Sequence, residues 1–266
     1  MTNIIGFDHV GISSKNILED SKFFEQYGYK IDFKEDNIEI RNEKKEFLKN
    51  SGESHNFALL KSVNSIAIEL IDHHKFNSKN QTYKILFSSQ NTSNKNSSKP
   101  QEKFMQKLEI IFKKKILKNE NRIDDFYESF SNMGDGVNSI IIKSADLQKS
   151  KEFWCNLFGF IEKSSDNNEN YKILEFNSPI KNWSIKFTLV KDMSEKKMTF
   201  LNDCGCTCMS FIVTKIEDFL QKFYDFGLKS AGKPYETTIN GKKMRLIFLR
   251  GLENEIIELI EFKKNE

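Results

Sequence analysis

Three stretches of the chain repeat one short pattern: a strand, an amphipathic helix that ends at a glycine, and further strands. The repeats begin at Phe7–Phe33, Val137–Lys163 and Cys208–Pro234. An apolar-rich strand segment closes each unit, at Ser65–Asp72, Ser184–Lys191 and Asn254–Glu261. A repeated unit usually fixes the architecture of a whole chain, and it allows equivalent positions to be compared.

The helices and strands of the repeat follow from its periodicity and its glycines. Gly28, Gly159 and Gly227 are expected to end the helices in the left-handed conformation. The predicted helices are Leu18–Tyr27, Leu147–Leu157 and Ile216–Phe226. The predicted strands are Phe7–Ser13, Ser65–Asp72, Asn138–Lys143, Ser184–Val190, Met209–Thr214 and Glu255–Glu261.

The segments DHVGI, DLQKSKEFWCNLFGF and GLENEIIELIEF resemble the vicinal oxygen chelate superfamily, which includes glyoxalase I, bleomycin-resistance proteins and extradiol dioxygenases. The resemblance implies an α+β fold whose repeated βαβββ units pair into cup-shaped, partly open sheets. The activities of the family vary widely, so the fold alone does not decide the function.

The repeat divides the chain into four predicted segments. Residues 1–80 form the first unit, 135–203 the third and 204–266 the fourth. Residues 81–134 are a degenerate second unit or an elaborated linker, and the first alternative is favoured because paired units need an even number. In this segment Gln81–Ser89 reads as a strand, and the polar stretch Gln90–Pro100 as a mobile loop.

Composition excludes several classes of partner. The chain has 266 residues, 38% of them hydrophobic and 30% charged, and its net charge of +3 is too small to indicate nucleic-acid binding. No apolar run approaches the ~20 residues that span a bilayer, and no signal peptide is visible at the N-terminus. We therefore expect a cytoplasmic protein with free thiols. It is expected to act as a monomer or homodimer on a small-molecule ligand or substrate. Phosphate-loop, nucleophile-elbow and dinucleotide motifs are missing from the sequence.

The resemblance also implies where a metal would bind, since the family places its ligands on the first and last strands of each unit. The first unit offers His9 and Glu69, and the last offers Cys208 and Glu258. These types suit a divalent ion such as Zn, Fe, Ni or Mn. The third unit offers only Ser139 and Thr188, which are poor ligands. All four good positions meet only if the first unit pairs with the last rather than with its neighbour.

Strand alternation makes the two glutamates the best catalytic candidates. Glu258 shares a face with Ile256 and Ile260, and Glu69 shares one with Ala67 and Ile71. A carboxylate on an apolar face must be paired or coordinated. The alternative is that both only hydrogen-bond to their neighbours.

Two of the candidate ligands have a purely structural alternative. His9 is equally well interpreted as a satisfied core histidine. Cys208 ends the run Cys204–Cys208 (CGCTC), whose three thiols are expected on one face of an extended strand. They would serve as soft ligands or, more simply, as small packing residues. Adjacent His73 and His74 should point to opposite faces.

Two functions of different class follow. The first is a metal-dependent lyase, isomerase or dioxygenase, in which a metal chelates two neighbouring substrate oxygens and a glutamate moves the proton. The second is a metal-free small-molecule-binding protein of the bleomycin-resistance type. Its pocket would draw on the 24 phenylalanines and on Trp154 and Trp183, although most of these must lie in the core.

Overall fold

The protein is described by a computed structural model covering residues 3–63, 65–74, 83–88, 111–112, 136–163, 169–179, 183–195, 198–229 and 232–263. The strands are β1 Ile4–Ser13, β2 Lys30–Glu39, β3 Ser54–Lys61, β4 Ala67–Asp72, β5 Tyr83–Ser88, β6 Ile111–Phe112, β7 Gly136–Ser144, β8 Ile161–Glu162, β9 Tyr171–Asn177, β10 Ser184–Lys191, β11 Gly205–Val213, β12 Tyr235–Ile239, β13 Lys242–Arg250 and β14 Ile256–Phe262. The helices are α1 Ile17–Glu25, α2 Asn42–Lys45, α3 Leu147–Phe158 and α4 Ile216–Asp225.

Two mixed sheets contain all the strands of the described residues. An eight-stranded sheet has the order β12-β13-β14-β11-β1-β4-β3-β2, and a six-stranded sheet has the order β6-β5-β7-β10-β9-β8. In the first sheet β1 pairs antiparallel with β11, so the first predicted unit joins the last. The sheet curls until Asn240 of the β12–β13 turn donates its backbone N–H to Glu35 of β2 at 2.6 Å. This gives the cup-shaped α+β fold that the resemblance implied.

The predicted helices and strands are confirmed, with ends that differ by up to four residues. Glycines in the left-handed region follow α1, α3 and α4, with φ of +77° at Gly28, +76° at Gly159 and +87° at Gly227. A glycine tolerates this conformation without the steric cost that other residues have, and it ends each helix where the sequence predicted.

An aromatic core fills the space between the two sheets. Phe7 of β1 stacks on Phe211 of β11 with ring centroids 4.5 Å apart, and it contacts Phe187 of the other sheet edge-on at 5.9 Å. Trp154 of α3 is completely buried and lies 4.8 Å from Phe187. Because these residues occupy one face of each strand, the alternate residues of the eight-stranded sheet face the inside of the cup.

The segment between the first and third units is described only in part. The predicted strand at Gln81–Ser89 is confirmed as β5, which pairs antiparallel with β7 and parallel with the short β6. The predicted loop Gln90–Pro100 lies outside the described residues. β5 meets β7 as β1 meets β11, an arrangement that agrees with a degenerate second unit; the division of the chain into four units stays a prediction.

Among the described helices, none combines the length and the apolar composition that crossing a bilayer requires.

Candidate functional site

Neighbouring strands place a row of polar residues across the middle of the cup. His9 on β1 lies opposite Ser210 on β11, and Ser210 lies opposite Glu258 on β14. Glu69 on β4 pairs with Gly11 of β1. Gly11 is two residues after His9, so it lies on the same face of the strand. Three of the four predicted site residues, namely His9, Glu69 and Glu258, are therefore brought together by strands from both ends of the chain.

His9 stands at the centre of this group. Its Nε2 atom lies 3.3 Å from Oε2 of Glu69 and 3.5 Å from Oε2 of Glu258. The Ser210 hydroxyl donates to Glu258 at 2.6 Å, so it accepts from His9 Nε2 at 2.8 Å. On the other side of the ring, Nδ1 lies 2.9 Å from Oδ2 of Asp8. A chain of hydrogen bonds thus runs from Asp8 through His9 and Ser210 to Glu258.

The burial of these groups makes their charges costly unless they are paired. The side chain of His9 is 7% exposed, that of Glu258 10% and that of Glu69 19%. Burial disfavours the charged imidazole, but the carboxylates of Glu69 and Asp8 outweigh it and hold the pKa of His9 well above its usual value. The two neighbouring carboxylates thus favour the positively charged form of His9.

The two glutamates differ in their protonation. Burial, together with the neighbouring charge of Glu69, raises the pKa of Glu258, and the opposing effects of His9 and Ser210 are smaller. For Glu69 burial acts in the same direction, but the contact with His9 outweighs it and lowers the pKa. Glu69 is the ionised partner of His9, whereas Glu258 is the carboxyl group that more readily holds a proton. Environments that separate two acids in this way are typical of acid–base sites.

Cys208 occupies in the last unit the position that His9 holds in the first. Glu69 pairs with the residue two positions after His9, and Glu258 pairs with the residue two positions after Cys208. The thiol is 3% exposed, and burial together with the charges of Glu258 and Glu69 raises its pKa well above the usual value. A protonated, buried thiol behaves as a small apolar group.

The prediction that the three thiols of the CGCTC run share one face is wrong. The register of β1 and β11 shifts between the pairs Gly11–Cys208 and Ile12–Cys206, as in a β-bulge. Cys206 consequently packs in the core between the sheets, whereas Cys208 faces the cup, and Cys204 precedes the strand. All four cysteines are free, as expected.

The other residues that the sequence suggested lie away from the group around His9. Ser139 and Thr188 of the six-stranded sheet are buried, and their hydroxyls have no hydrogen-bond partner among the described residues. His73 is buried while the side chain of His74 is 43% exposed, so the two histidines diverge as predicted. Trp154 lies in the core, and Trp183 packs against that core rather than lining the cup.

An apolar roof covers the row of polar residues. Cys208 clusters with Phe47 and Leu48 after α2, with Leu201 before β11 and with Phe248 of β13. Tyr235 of β12 packs against the same cluster. This surrounding lowers the local dielectric and strengthens every charge interaction at His9.

Three residues near the site were not predicted: Asp8, Ser210 and Lys44. Asp8 precedes a predicted ligand, so its place in the motif was a usable signal. Ser210 follows Cys208 by two positions, and strand alternation alone puts it on the same face. Lys44, on α2, lies over the ring of Phe248 at 5.6 Å and is close enough to influence the charges of Glu69 and Glu258.

The donor types suit a divalent metal, but the site is not preformed for one. Imidazole nitrogen and carboxylate oxygen are ordinary ligands. Within the described ranges, however, no group of three or more His, Cys, Asp or Glu side chains is arranged as it would be around a metal ion. The Ser210 hydroxyl bridges His9 and Glu258, so these two side chains are satisfied by hydrogen bonds. A metal would have to displace that bridge.

Comparison with known proteins gives similarity in structure but not in sequence. No protein-family model and no curated protein matches the chain. Glyoxalase I from Zea mays superposes with a TM-score of 0.57 at 11% identity, over 96% of this chain and 92% of that one. A predicted dioxygenase from Bacillus subtilis strain 168 superposes with a TM-score of 0.52 at 8% identity, over 100% of this chain and 87% of that one. The chain therefore has the fold of the vicinal oxygen chelate superfamily.

Proposed function

We propose that the cup binds a small molecule with neighbouring oxygen atoms and acts on it by metal-dependent lyase, isomerase or dioxygenase chemistry. The observation that supports this best is the convergence of His9 Nε2 with one oxygen each of Glu69 and Glu258, at 3.3 and 3.5 Å. Separations of this size are compatible with ligands that surround one ion at about 2.0–2.2 Å. His9, Glu69 and Glu258 would hold the metal, and Cys208 would have to lose its proton to serve as the fourth ligand.

The negative charge around His9, on the floor of the cup, also favours the binding of a cation. The buried carboxylate of Glu258 and the half-buried carboxylate of Glu69 share one imidazole, and a third carboxylate, Asp8, contacts the far side of that ring. Carboxylates away from water need a positive partner. A bound divalent ion would act as a Lewis acid, polarising substrate oxygens and stabilising an anion beside them.

The protein's own residues would divide the proton transfer between them. Glu258 has the raised pKa and is the group best suited to accept and return a proton. Ser210 fixes the orientation of Glu258 through their 2.6 Å hydrogen bond. Glu69 stays ionised and keeps His9 in place, while the roof formed by Phe47, Phe248 and their neighbours excludes water.

A metal-free binding function is the second candidate. It is favoured by the hydrogen-bond chain from Asp8 to Glu258, which satisfies these polar groups without an ion. In this case the cup would hold an amphiphilic ligand, with Phe248 and Tyr235 offering apolar contact and His9 offering polar contact. The two candidates differ in one measurable property, the metal content.

The deciding experiment is elemental analysis of the protein purified without a histidine tag, for wild type and Glu258→Gln. Glu236→Gln is the matched control, because Glu236 is a 75% exposed glutamate on β12. We expect stoichiometric metal in wild type and control, and loss of most of it in Glu258→Gln. The metal-free binding function would be favoured if the wild-type protein contains no metal and its melting temperature is the same with and without chelator. Full occupancy in Glu258→Gln would show that this residue is not a ligand.

A further inference from the structure

A buried lysine without an acidic partner lies in the cup beside the proposed metal ligands. Lys44 on α2 is 9% exposed. No aspartate or glutamate among the described residues forms an ion pair with it. Its Nζ atom instead lies 3.5 Å from Nε2 of His55 on β3, over the ring of Phe248. Burying an ammonium group without a negative partner is unfavourable, so this position calls for an anion.

Two buried histidines beside Lys44 add to the excess of donors. The rings of His55 and His73 stack with centroids 5.6 Å apart, and they are 7% and 2% exposed. Neither nitrogen of His73 has a hydrogen-bond partner among the described residues, whereas His55 also contacts the backbone of Ile38. A buried polar group without a partner costs free energy, and it is usually explained by an unseen ligand or by function. This second observation is independent of the charge on Lys44.

The position of this group relates it to the cup rather than to the core. His55 precedes Phe57, which pairs with Ile71, and His73 follows two residues after Ile71; both histidines therefore continue the inward face that carries Glu69. Lys44 also acts electrostatically on Glu69 and Glu258. The cluster thus forms one wall of the same cup.

The residues just before α2 also line an open cleft. A cavity of about 680 Å³ at the rim of the cup, between the edge strands β2 and β12, is lined by Ile38, Glu39, Arg41, Glu236, Thr237, Thr238, Lys243, Met244 and Lys263. Met244 at this cleft and Phe248 beneath Lys44 lie on the same face of β13, four residues apart. At about 3.4 Å per residue they are roughly 14 Å apart. The cleft and Lys44 therefore lie on the same face of β13.

We infer that Lys44, His55 and His73 form an anion-binding subsite for a carboxylate or phosphate group of the cup's small-molecule ligand. Lys44 supplies the charge, and the two histidines supply N–H donors. The inference rests on the proposed function in one respect, namely that the ligand occupies the cup. Anion binding itself does not require a metal. The ligand would be an acid whose charged group binds at Lys44 while its oxygen-bearing part faces His9.

The test uses inorganic phosphate and acetate as probes on chelator-treated full-length protein at constant ionic strength. Binding is followed by thermal stability and by the ring signals of ¹⁵N-histidine in NMR spectra. We expect saturable binding of at least one anion in the millimolar range, with shifts for His55 and His73 but not for exposed His74. The anion that binds more tightly identifies the charged group.

Variants then assign the binding to Lys44. Lys44→Met keeps the side-chain stem and removes the charge, and Lys45→Met is the control, an exposed lysine one residue along the same helix. Lys44→Met should weaken anion binding by roughly tenfold to a hundredfold, the usual effect of losing a charge-assisted hydrogen bond. Lys44→Gln repeats the test if Lys44→Met does not fold.

The result that overturns the inference is the failure of both anions to bind, or equal binding by wild type and Lys44→Met. Its failure is distinguishable from that of the proposed function. Anion binding by the chelator-treated protein, together with no metal in the protein as purified, would support the subsite and contradict the metalloenzyme. Stoichiometric metal without anion binding would support the metalloenzyme and contradict the anion-binding subsite.

Discussion

The hydroxyl of Ser210 donates a 2.6 Å hydrogen bond to Glu258 and accepts one of 2.8 Å from His9. It therefore joins two side chains that the sequence suggests as ligands of one ion. The bridge stabilises the metal-free arrangement, because it satisfies a buried carboxylate and a buried imidazole together. Binding of a metal must compete with this bridge, and a change at Ser210 should affect the two states in opposite directions.

Ser210→Ala should lower the thermal stability of metal-free protein and strengthen metal binding. Without the hydroxyl, Glu258 loses a buried donor, at a cost of about 1–3 kcal/mol in the free energy of unfolding. The same change removes the competitor of the metal. Melting curves with and without chelator measure both effects. A variant that is as stable as wild type in chelator would show that the hydrogen bond contributes little.

His9→Gln should destabilise the fold strongly. The substitution leaves Glu69 and Glu258 buried with no positive charge between them, and breaking a buried pair in this way typically costs about 3–5 kcal/mol. Urea unfolding measures the loss. His74→Gln serves as the control, since that side chain is 43% exposed and its replacement should change stability by less than about 0.5 kcal/mol. Equal stability of the two variants would contradict the ion-pair role of His9.

Cys208 should be nearly inert to alkylation in the folded protein. Its thiol is buried, and burial and the carboxylates of Glu258 and Glu69 hold its pKa well above the usual value, so little thiolate forms. Cys204 is more exposed than Cys208 and should react before it. Peptide mapping after iodoacetamide treatment distinguishes the two, and all four cysteines should react in denaturant. Rapid modification of Cys208 would instead indicate an activated thiol.

His55 should make the protein less stable in mild acid. Burial, together with the charge of Lys44, lowers the pKa of His55 from 6.5 to about 2. Below pH 6.5 the unfolded chain binds a proton that the folded residue does not, so stability falls with falling pH. The loss reaches up to about 2 kcal/mol near pH 5.

The variant His55→Phe removes this difference while keeping a ring to stack on His73. Its free energy of unfolding should therefore depend less on pH than that of wild type between about pH 6.5 and pH 5. Urea unfolding at several pH values makes the comparison. Parallel pH profiles for both proteins would show that the pKa of His55 is not lowered in the folded state.

Local sequence signals were enough to predict the helices, the strands and part of the candidate site. The glycine-terminated helices and the alternation around Glu69 and Glu258 depend on neighbours in sequence, and these predictions are confirmed. The contact between His9 and Glu258 depends on the pairing of β1 with β11, about 200 residues apart. The sequence left that pairing open, because nothing local distinguishes the two ways in which the units could combine.

Other features required the three-dimensional arrangement. Lys44 lies in the polar run NEKKEF, where a lysine is ordinarily a surface residue, and only the closing of α2 over the cup buries it. The change of register between Cys206 and Cys208 arises from a β-bulge, and no residue type in this segment predicts it. The register of β1 with β11, not the cysteine spacing, decides which thiol faces the cup.

The joining of β1 to β11 also sets the order in which the protein can assemble during its synthesis. When the first βαβββ segment leaves the ribosome, the edge of β1 lacks its later neighbour until some 200 more residues have been made. An open strand edge of this kind is prone to pair with other chains. Contacts so distant in sequence also form slowly. The floor of the cup is consequently among the last parts to form, and a chain interrupted before β11 would contain His9 and Glu69 without Glu258.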